Sequence, residues 1–244
     1  INRLYYDILV PLQAFPRMDA DSKIRLDLQT VLNETINFLD LRTPYSEAFY
    51  ASIRKAQSYI TENLYEKMGG HDEVIATCIG HTHIDVAWWW TVAQTREKVV
   101  RSFATVLKLM DEYPNYKFMS SQPVLYQFLK ERYPEMFEKI KERVKEGRWE
   151  PEGGMWLEAD TNLTSGESLV RQFVHGKRFF QDEFGLDNRI LWLPDVFGYS
   201  GALPQIMKRS GIDYFMTTKL AWNQTNKIPN DTFVWRGIDG SEVL

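Results

Sequence analysis

A chain of 244 residues with 44% hydrophobic and 25% charged residues has the composition of a globular protein able to bury a full core, as one large domain or two smaller ones. A net charge of −4, with Lys and Arg scattered among acids and densest over residues 131–148, gives no footing for nucleic acid and reads there as a solvated helix face. The single cysteine, Cys78, excludes a disulfide framework and fits a reducing compartment, and no apolar run reaches the roughly 20 residues that span a bilayer.

Residues 18–68 carry two helical stripes. Ile24, Leu28, Val31, Leu32, Ile36 and Leu39 form the first, and Phe49, Ile53, Ala56, Ile60 and Leu64 the second. Thr43-Pro44 starts the second helix and Gly69-Gly70 stops it. No chemistry-bearing pattern falls here, so residues 1–70 read as a helical preface to the next region. From residue 74 the pattern changes to strands alternating with helices. The β-branched run 74–79 predicts a buried strand with Cys78 in the core, and Val92, Val99, Phe103, Val106 and Met110 mark a helix ending before Pro114. A short strand at 116–119 follows, then helices over 124–129 and 136–144, the second stopped by Gly147, then a strand at 148–151. Thr164 with Glu167 predicts a capping box opening a helix through Leu169, Phe173 and Phe180 that stops at Gly185. A strand at 190–193, a short helix over 203–210 and a strand at 214–217 complete the series. This alternation implies parallel pairing in an α/β sheet or barrel. About five or six strands fit, too few for a full eight-stranded barrel.

In such folds the residues just past the C-terminal ends of the strands carry the chemistry. After the first strand come His81, His83 and Asp85, alternating so that an extended backbone points them the same way, followed by Trp88, Trp89 and Trp90. Imidazole and carboxylate suit zinc or a similar divalent ion, and an adjacent indole offers a flat face for a sugar ring. Later strand ends contribute Glu152, Gly153, Gly154, Glu158 and Asp160, then Asp195 and Tyr199, then the segment 218–222. Each piece alone has a plainer reading. Asp195 after Pro194 is a good turn residue, Gly153-Gly154 is a turn, and Glu158 and Asp160 are solvated loop acids. His71 reads as a loop residue, His175 as packing or surface, and Trp149, Trp192 and Trp235 as core fillers.

Together the segments are more specific. HTHIDVAWWW at 81–90, EGGMWLEADTNL at 152–163, LWLPDVFGYSGALPQ at 191–205, and TKLAWNQTN with FVWRGIDGS within 218–241 resemble the catalytic N-terminal region of glycoside hydrolase family 38, the metal-dependent α-mannosidases, in its cytosolic and bacterial branch. The resemblance covers residues 18–244. It implies that residues 71–244 form part of a distorted seven-stranded (β/α) barrel. It also implies a retaining enzyme that hydrolyses terminal α-D-mannosyl residues of oligosaccharides through a covalent mannosyl-enzyme. One divalent metal, zinc or else cobalt, would be held by His83, Asp85 and Asp195. Asp195 would also be the nucleophile, and Trp88 would stack on the mannose ring. Trp156, Tyr199 and Trp222 are further pocket candidates, and His81 would stand behind a ligand and orient it. A retaining glycosidase needs a nucleophile and an acid/base carboxylate about 5 Å apart. A bound cation keeps the first ionised and, at the sugar's vicinal hydroxyls, favours the distorted ring of the transition state.

The family's acid/base carboxylate and its fourth metal ligand lie beyond the matched segments, and neither Glu152, Glu158 nor Asp160 fits the acid/base motif. The chain begins at Ile1, shows no signal-peptide pattern and stops at Leu244 within a predicted strand, so it reads as a cytoplasmic piece of a longer polypeptide. Its sequons at Asn33, Asn162, Asn223 and Asn230 then read as chance matches. The piece alone is expected to bind metal weakly and not to turn over substrate. Its expected partners are a mannose-containing oligosaccharide and the remaining domains of the same polypeptide, with a homo-oligomer compatible and no nucleic acid or membrane. Two rivals remain. An amidohydrolase-type barrel puts both histidines of His-x-His on metal and activates water. A non-catalytic sugar-binding module would carry a structural metal, usually with four protein ligands.

Overall fold

A computed structural model describes residues 1–69 and 77–244. The chain divides into two units, Ile1–Ala76 and Thr77–Leu244. In the first, α1 (Asn2–Ala14) runs into a 3-10 turn at Phe15–Arg17, α2 (Lys23–Asn37) follows, and α3 (Glu47–Ile60) continues as a π-helical turn at Thr61–Glu66. Ser22 and Ser46 cap α2 and α3, each hydroxyl accepting a backbone N–H from the first turn. The sequence signal at Thr43-Pro44 therefore sits just outside the helix that it announces. Leu4, Leu28, Val31, Leu32, Ile53, Ala56 and Ile60 form the core. The predicted stripe on α2 narrows to its middle turns, with Ile24 and Ile36 exposed. Helix α1 went unread because it buries only Leu4 and so leaves little periodic signal.

The second unit alternates strand and helix. In order it holds β1 (Gly80–His81), α4 (Val92–Glu112), β2 (Phe118–Ser120), α5 (Pro123–Arg132), α6 (Pro134–Lys145), β3 (Trp149–Pro151), α7 (Gly166–Phe184), β4 (Ile190–Trp192), α8 (Leu203–Arg209), β5 (Tyr214–Met216), a 3-10 turn at Lys219–Trp222, β6 (Trp235–Arg236) and β7 (Glu242–Val243). β1, β2 and β3 pair in parallel, as do β4 and β5, and a parallel bridge between Gly153 and Leu191 links the two sets. β6 and β7 form an antiparallel hairpin, and Leu244 then runs beside β5, donating to Asp213 O at 3.1 Å and accepting from Phe215 N at 2.7 Å. This is a mixed α/β unit with short parallel strands, and a solved relative reported below shares the fold. Among the described residues no helix is long and apolar enough to cross a membrane.

Two local expectations shift. The first ladder forms at Gly80–His81, not over residues 77–79, and Cys78 is exposed instead of buried in the core. Residues 74–76 of the predicted strand, and His71, lie outside the described residues. The ladder starts where Gly80 lets the chain pass the Tyr116 ring, whose hydroxyl would stand 2.3 Å from an added Cβ. The cap of α7 is Ser165, which accepts from Ser168 N at 3.2 Å, while Thr164 turns back to bond Asp160 O and Glu167 pairs with Arg171.

The core of this unit is aromatic where α4, α5 and α7 cover β2 and β3. Trp149 and Phe118 from the strands meet Phe103 of α4, Tyr126 of α5 and Phe180 of α7, all buried. Trp149 packs edge-on against Phe118 and Phe103, with ring centroids 4.8 and 4.9 Å away. Its indole donates to the Tyr126 hydroxyl, which donates in turn to Ser120 O, both at 2.9 Å. A second cluster, including Phe173, Leu191, Leu193, Leu203 and Met207, fills the space between α7, β4 and α8. These two clusters hold the strand ends from which the site is built.

Candidate active site

The chain leaving β1 turns as soon as His81 has made its ladder contact. His81 bonds Met119 O through Nδ1 at 3.0 Å and accepts from the Trp192 indole through Nε2 at 3.3 Å, joining β1, β2 and β4. Both ring nitrogens are thus engaged, and neither reaches a ligand side chain. The strand ends at His81, so the extended backbone that would point His81, His83 and Asp85 the same way does not continue through them. His83 and Asp85 instead come from a loop held in several places. The Trp90 indole donates to Asp85 O at 3.2 Å, and the buried Thr95 hydroxyl, one turn into α4, donates to Val86 O at 2.6 Å. The Thr91–Gln94 capping box fixes the start of α4 beneath it.

Asp195 arrives from the end of β4. His83 Nε2 lies 3.1 Å from Asp85 Oδ1 and 3.5 Å from Asp195 Oδ2, and one ligand atom from each residue lies within 4.8 Å of the others. Among the described residues this is the one cluster of His, Cys, Asp or Glu arranged to hold a metal ion. One imidazole nitrogen with two carboxylate oxygens is a donor set that fits zinc or a related divalent ion. Two like charges this close repel unless a cation stands between them.

On its other side His83 meets Glu158. Nδ1 lies 2.9 Å from Glu158 Oε2, and the Glu158 side chain is only 5% exposed. Burial works to lower the His83 pKa, but the Glu158 and Asp85 carboxylates outweigh it and raise the imidazole to about 9. The plainer reading of Glu158 as a solvated loop acid gives way to a buried carboxylate beside the cluster. The loop from β3 is pressed inward by α7, where Gly176 passes so close that an added Cβ would stand 2.3 Å from Gly154 O. Trp156 N and Leu157 N both bond Gln172 of the same helix. Of the other loop acids, Glu152 is a strut between β3 and β4, accepting from Gly153 N and Ile190 N, and burial raises its pKa. Asp160 closes its own turn by accepting from Asn162 N and Leu163 N.

The remaining candidates divide. Trp88 is 66% exposed beside the ligand loop, its ring edge-on to Trp89 and Trp90. Trp222 is also exposed. Trp156 packs its ring against Phe179 of α7, and bonds from the backbone of Trp156 and Leu157 to Gln172 tie this stretch to the same helix. Tyr199 packs on Phe215, and its hydroxyl contacts Val196 O, Leu193 O and Thr217 Oγ1 of its own framework, while burial raises its pKa. His175 is exposed on α7. Lys219, to which the sequence reading gave no role, pairs with Asp195 Oδ1. Its ammonium lies 3.6 Å from the Trp222 ring centroid and 4.9 Å from that of Phe197. The signal for Glu158 was a lone acid within the apolar run Met155 to Ala159, and for Lys219 a lone cation next to a strand end and an aromatic.

The family description "Glycosyl hydrolases family 38 N-terminal domain" matches residues 73–244. Alpha-mannosidase G of Dictyostelium discoideum is 45% identical over 214 residues, 88% of this chain and 19% of that protein. Alpha-mannosidase 2C1 of Homo sapiens is 38% identical over 244 residues, 100% of this chain and 23% of that protein. An alpha-mannosidase of known structure from Enterococcus faecalis V583 superposes with a TM-score of 0.56 at 22% identity, over 68% of this chain and 19% of the other, a likeness of fold alone. The chain belongs to glycosyl hydrolase family 38 and carries its N-terminal domain. It spans less than a quarter of the length of the curated relatives that it matches.

Proposed function

We propose that this chain supplies the nucleophile and most of the metal site of a retaining α-mannosidase acting on terminal α-D-mannosyl residues of oligosaccharides. The observation that carries the reading is the meeting of His83, Asp85 and Asp195 within 4.8 Å at the strand ends of a family 38 domain. These residues would hold one divalent metal, zinc or else cobalt. When bound, it would supply positive charge to keep the carboxylates ionised and to meet the hydroxyls of the sugar. Asp195 would attack the anomeric carbon as the glycosidic C–O bond breaks, the departing oxygen taking a proton from the acid/base carboxylate. One Asp195 oxygen already faces His83 and the other faces Lys219, so ligation and attack would fall to different atoms of one carboxylate. The exposed face of Trp88 would seat the ring, and Trp222 would flank it from the Lys219 side. Water would then release the sugar with the same anomeric configuration.

The acid/base carboxylate and a fourth ligand would come from elsewhere in a longer polypeptide, which would also complete a seven-stranded barrel. A cytoplasmic location and mannose-containing oligosaccharides as substrate belong to the same proposal. The test is hydrolysis of an aryl α-mannoside by the full-length protein, with metal content measured in two variants. Asp85→Ala should lose the metal and His81→Ala should keep it. The reverse pattern would favour an amidohydrolase-type site. Robust turnover by residues 1–244 alone would refute an acid/base group outside this chain.

A further inference from the structure

We infer that Glu158 and Gln122 are positioning residues for the metal site: Glu158 selects which nitrogen of His83 faces Asp85 and Asp195, and Gln122 locks Glu158 to the ligand loop. The inference rests on the metal-site reading above and adds two residues to it. A carboxylate that is 5% exposed is costly to bury without partners, and the neighbours of Glu158 in sequence are the apolar Leu157 and Ala159. Its partners are specific. Ser121 Oγ donates to Oε1 at 2.7 Å, and Oε2 stands 2.9 Å from His83 Nδ1. That approach is too bent for a full hydrogen bond, and among the described residues neither atom has another hydrogen-bond partner. Both ring nitrogens face carboxylate oxygens, Nδ1 that of Glu158 and Nε2 those of Asp85, to which it is hydrogen-bonded at 3.1 Å, and Asp195 at 3.5 Å. A cation held by the two aspartates would take the lone pair of Nε2 and leave the proton of neutral His83 on Nδ1, toward Glu158. A carboxylate on the far nitrogen of a metal-bound histidine fixes tautomer and ring angle and makes the ligand more basic.

Gln122 joins the two loops. Its side chain donates to Ile84 O at 2.9 Å and accepts from Glu158 N at 3.1 Å. Ile84 lies between His83 and Asp85, so one amide sets the spacing of two ligands and the carboxylate behind them. The residue is 3% exposed and has φ of 65°, a left-handed conformation rare outside glycine. Such a backbone persists only where its surroundings over-determine it, and it recurs at functional sites. Gly153 makes room, since an added Cβ there would stand 2.7 Å from Ser121 Cβ.

The experiment measures zinc affinity by chelator competition in the full-length protein, together with the His83 tautomer of the zinc-loaded protein by 15N NMR and the melting temperature of metal-stripped protein. Glu158→Gln should weaken zinc roughly 10- to 100-fold, with the stripped protein still folded and its melting temperature lowered only by the lost pairing with His83. Ser121→Ala, which leaves the carboxylate in place, should weaken it by a smaller factor and serves if Glu158→Gln fails to fold. Gln122→Ala should weaken zinc while the Nδ1–H tautomer of His83 persists. Zinc affinity unchanged in both Glu158→Gln and Ser121→Ala, or zinc held by Nδ1 of His83 with the proton on Nε2 in the loaded parent, would overturn the inference. His83→Ala and Asp195→Asn are the controls. If they too leave zinc unaffected, the metal-site reading falls; if they lose zinc while the Glu158 and Ser121 variants keep it, only the positioning role falls.

Discussion

Within Thr77–Leu244 the aromatic core around Trp149 and the mouth around His83 hang on the same short strands but obey different rules. In the core, rings meet edge to face, and the polar atoms of Trp149 and Tyr126 are both matched. At the mouth the carboxylates of Asp85, Asp195 and Glu158 converge on one imidazole, Lys219 presses on Asp195, and Gln122 holds a left-handed backbone between the two loops. The core gains stability from burial. The mouth gathers charge that only a ligand could use, and rests on the rigidity of the core. Damage at one place should therefore read out in folding, and damage at the other in chemistry.

The largest effect that separates them is expected from Asp195→Asn. Activity of the full-length protein on an aryl α-mannoside should fall on the order of 10⁶-fold, as when other enzymes lose a nucleophile, while the melting temperature of the metal-stripped protein stays close to the parent's. The converse variant is Trp149→Ala. Removing a side chain that is 1% exposed should cost about 3–5 kcal/mol in urea unfolding. Comparable activity losses per folded molecule in the two variants would break the contrast.

Protons sharpen it further. With His83 raised to about 9, the imidazole of metal-stripped protein is mostly charged at neutral pH and must lose its proton to bind metal. Metal affinity should rise about tenfold per pH unit up to that value, with about one proton released per ion, read by calorimetry in buffers of different ionisation enthalpy. The sign for stability is opposite. A histidine raised from 6.5 stabilises the stripped protein fully below that value, and the contribution fades as pH rises through about 9. Lys219→Met tests the cation beside Asp195. A charge-assisted pair of this kind is worth about 1.5–3 kcal/mol, so kcat/KM should fall roughly tenfold or more while Lys219→Arg retains most activity. The smallest effect belongs to the scaffold. Ser165→Ala removes the cap of α7 and should cost about 1 kcal/mol of stability with kcat unchanged.

Much of this contrast was legible in the sequence, but unevenly. Val99, Phe103, Val106 and Met110 recur at helical spacing and are all buried, and Gly185 takes the left-handed conformation that ends α7. His83, Asp85 and Asp195 could be brought to one mouth because their segments follow predicted parallel strands, and parallel pairing puts successive strand ends on one side. Glu158 and Lys219 could be brought to the same mouth but not given partners, and Gln122 could not be read at all, since a buried acid, a caged cation and a left-handed glutamine are outcomes of tertiary packing. The packing of Trp156 on α7 is hidden for the same reason: Gln172, 16 residues on and in another element, holds the backbone of its loop. The first strand was placed too early because β-branched residues signal propensity, whereas the ladder begins where Gly80 and His81 find partners on β2.

The central claim is that Asp195 is the atom source for a covalent link to the sugar. Incubating the full-length protein with a slow 2-fluoro-mannosyl substrate, followed by peptide mass spectrometry, tests it most directly. The account predicts one fluoromannosyl adduct per chain, on Asp195. An adduct on any other residue, or turnover with no covalent adduct, would contradict it.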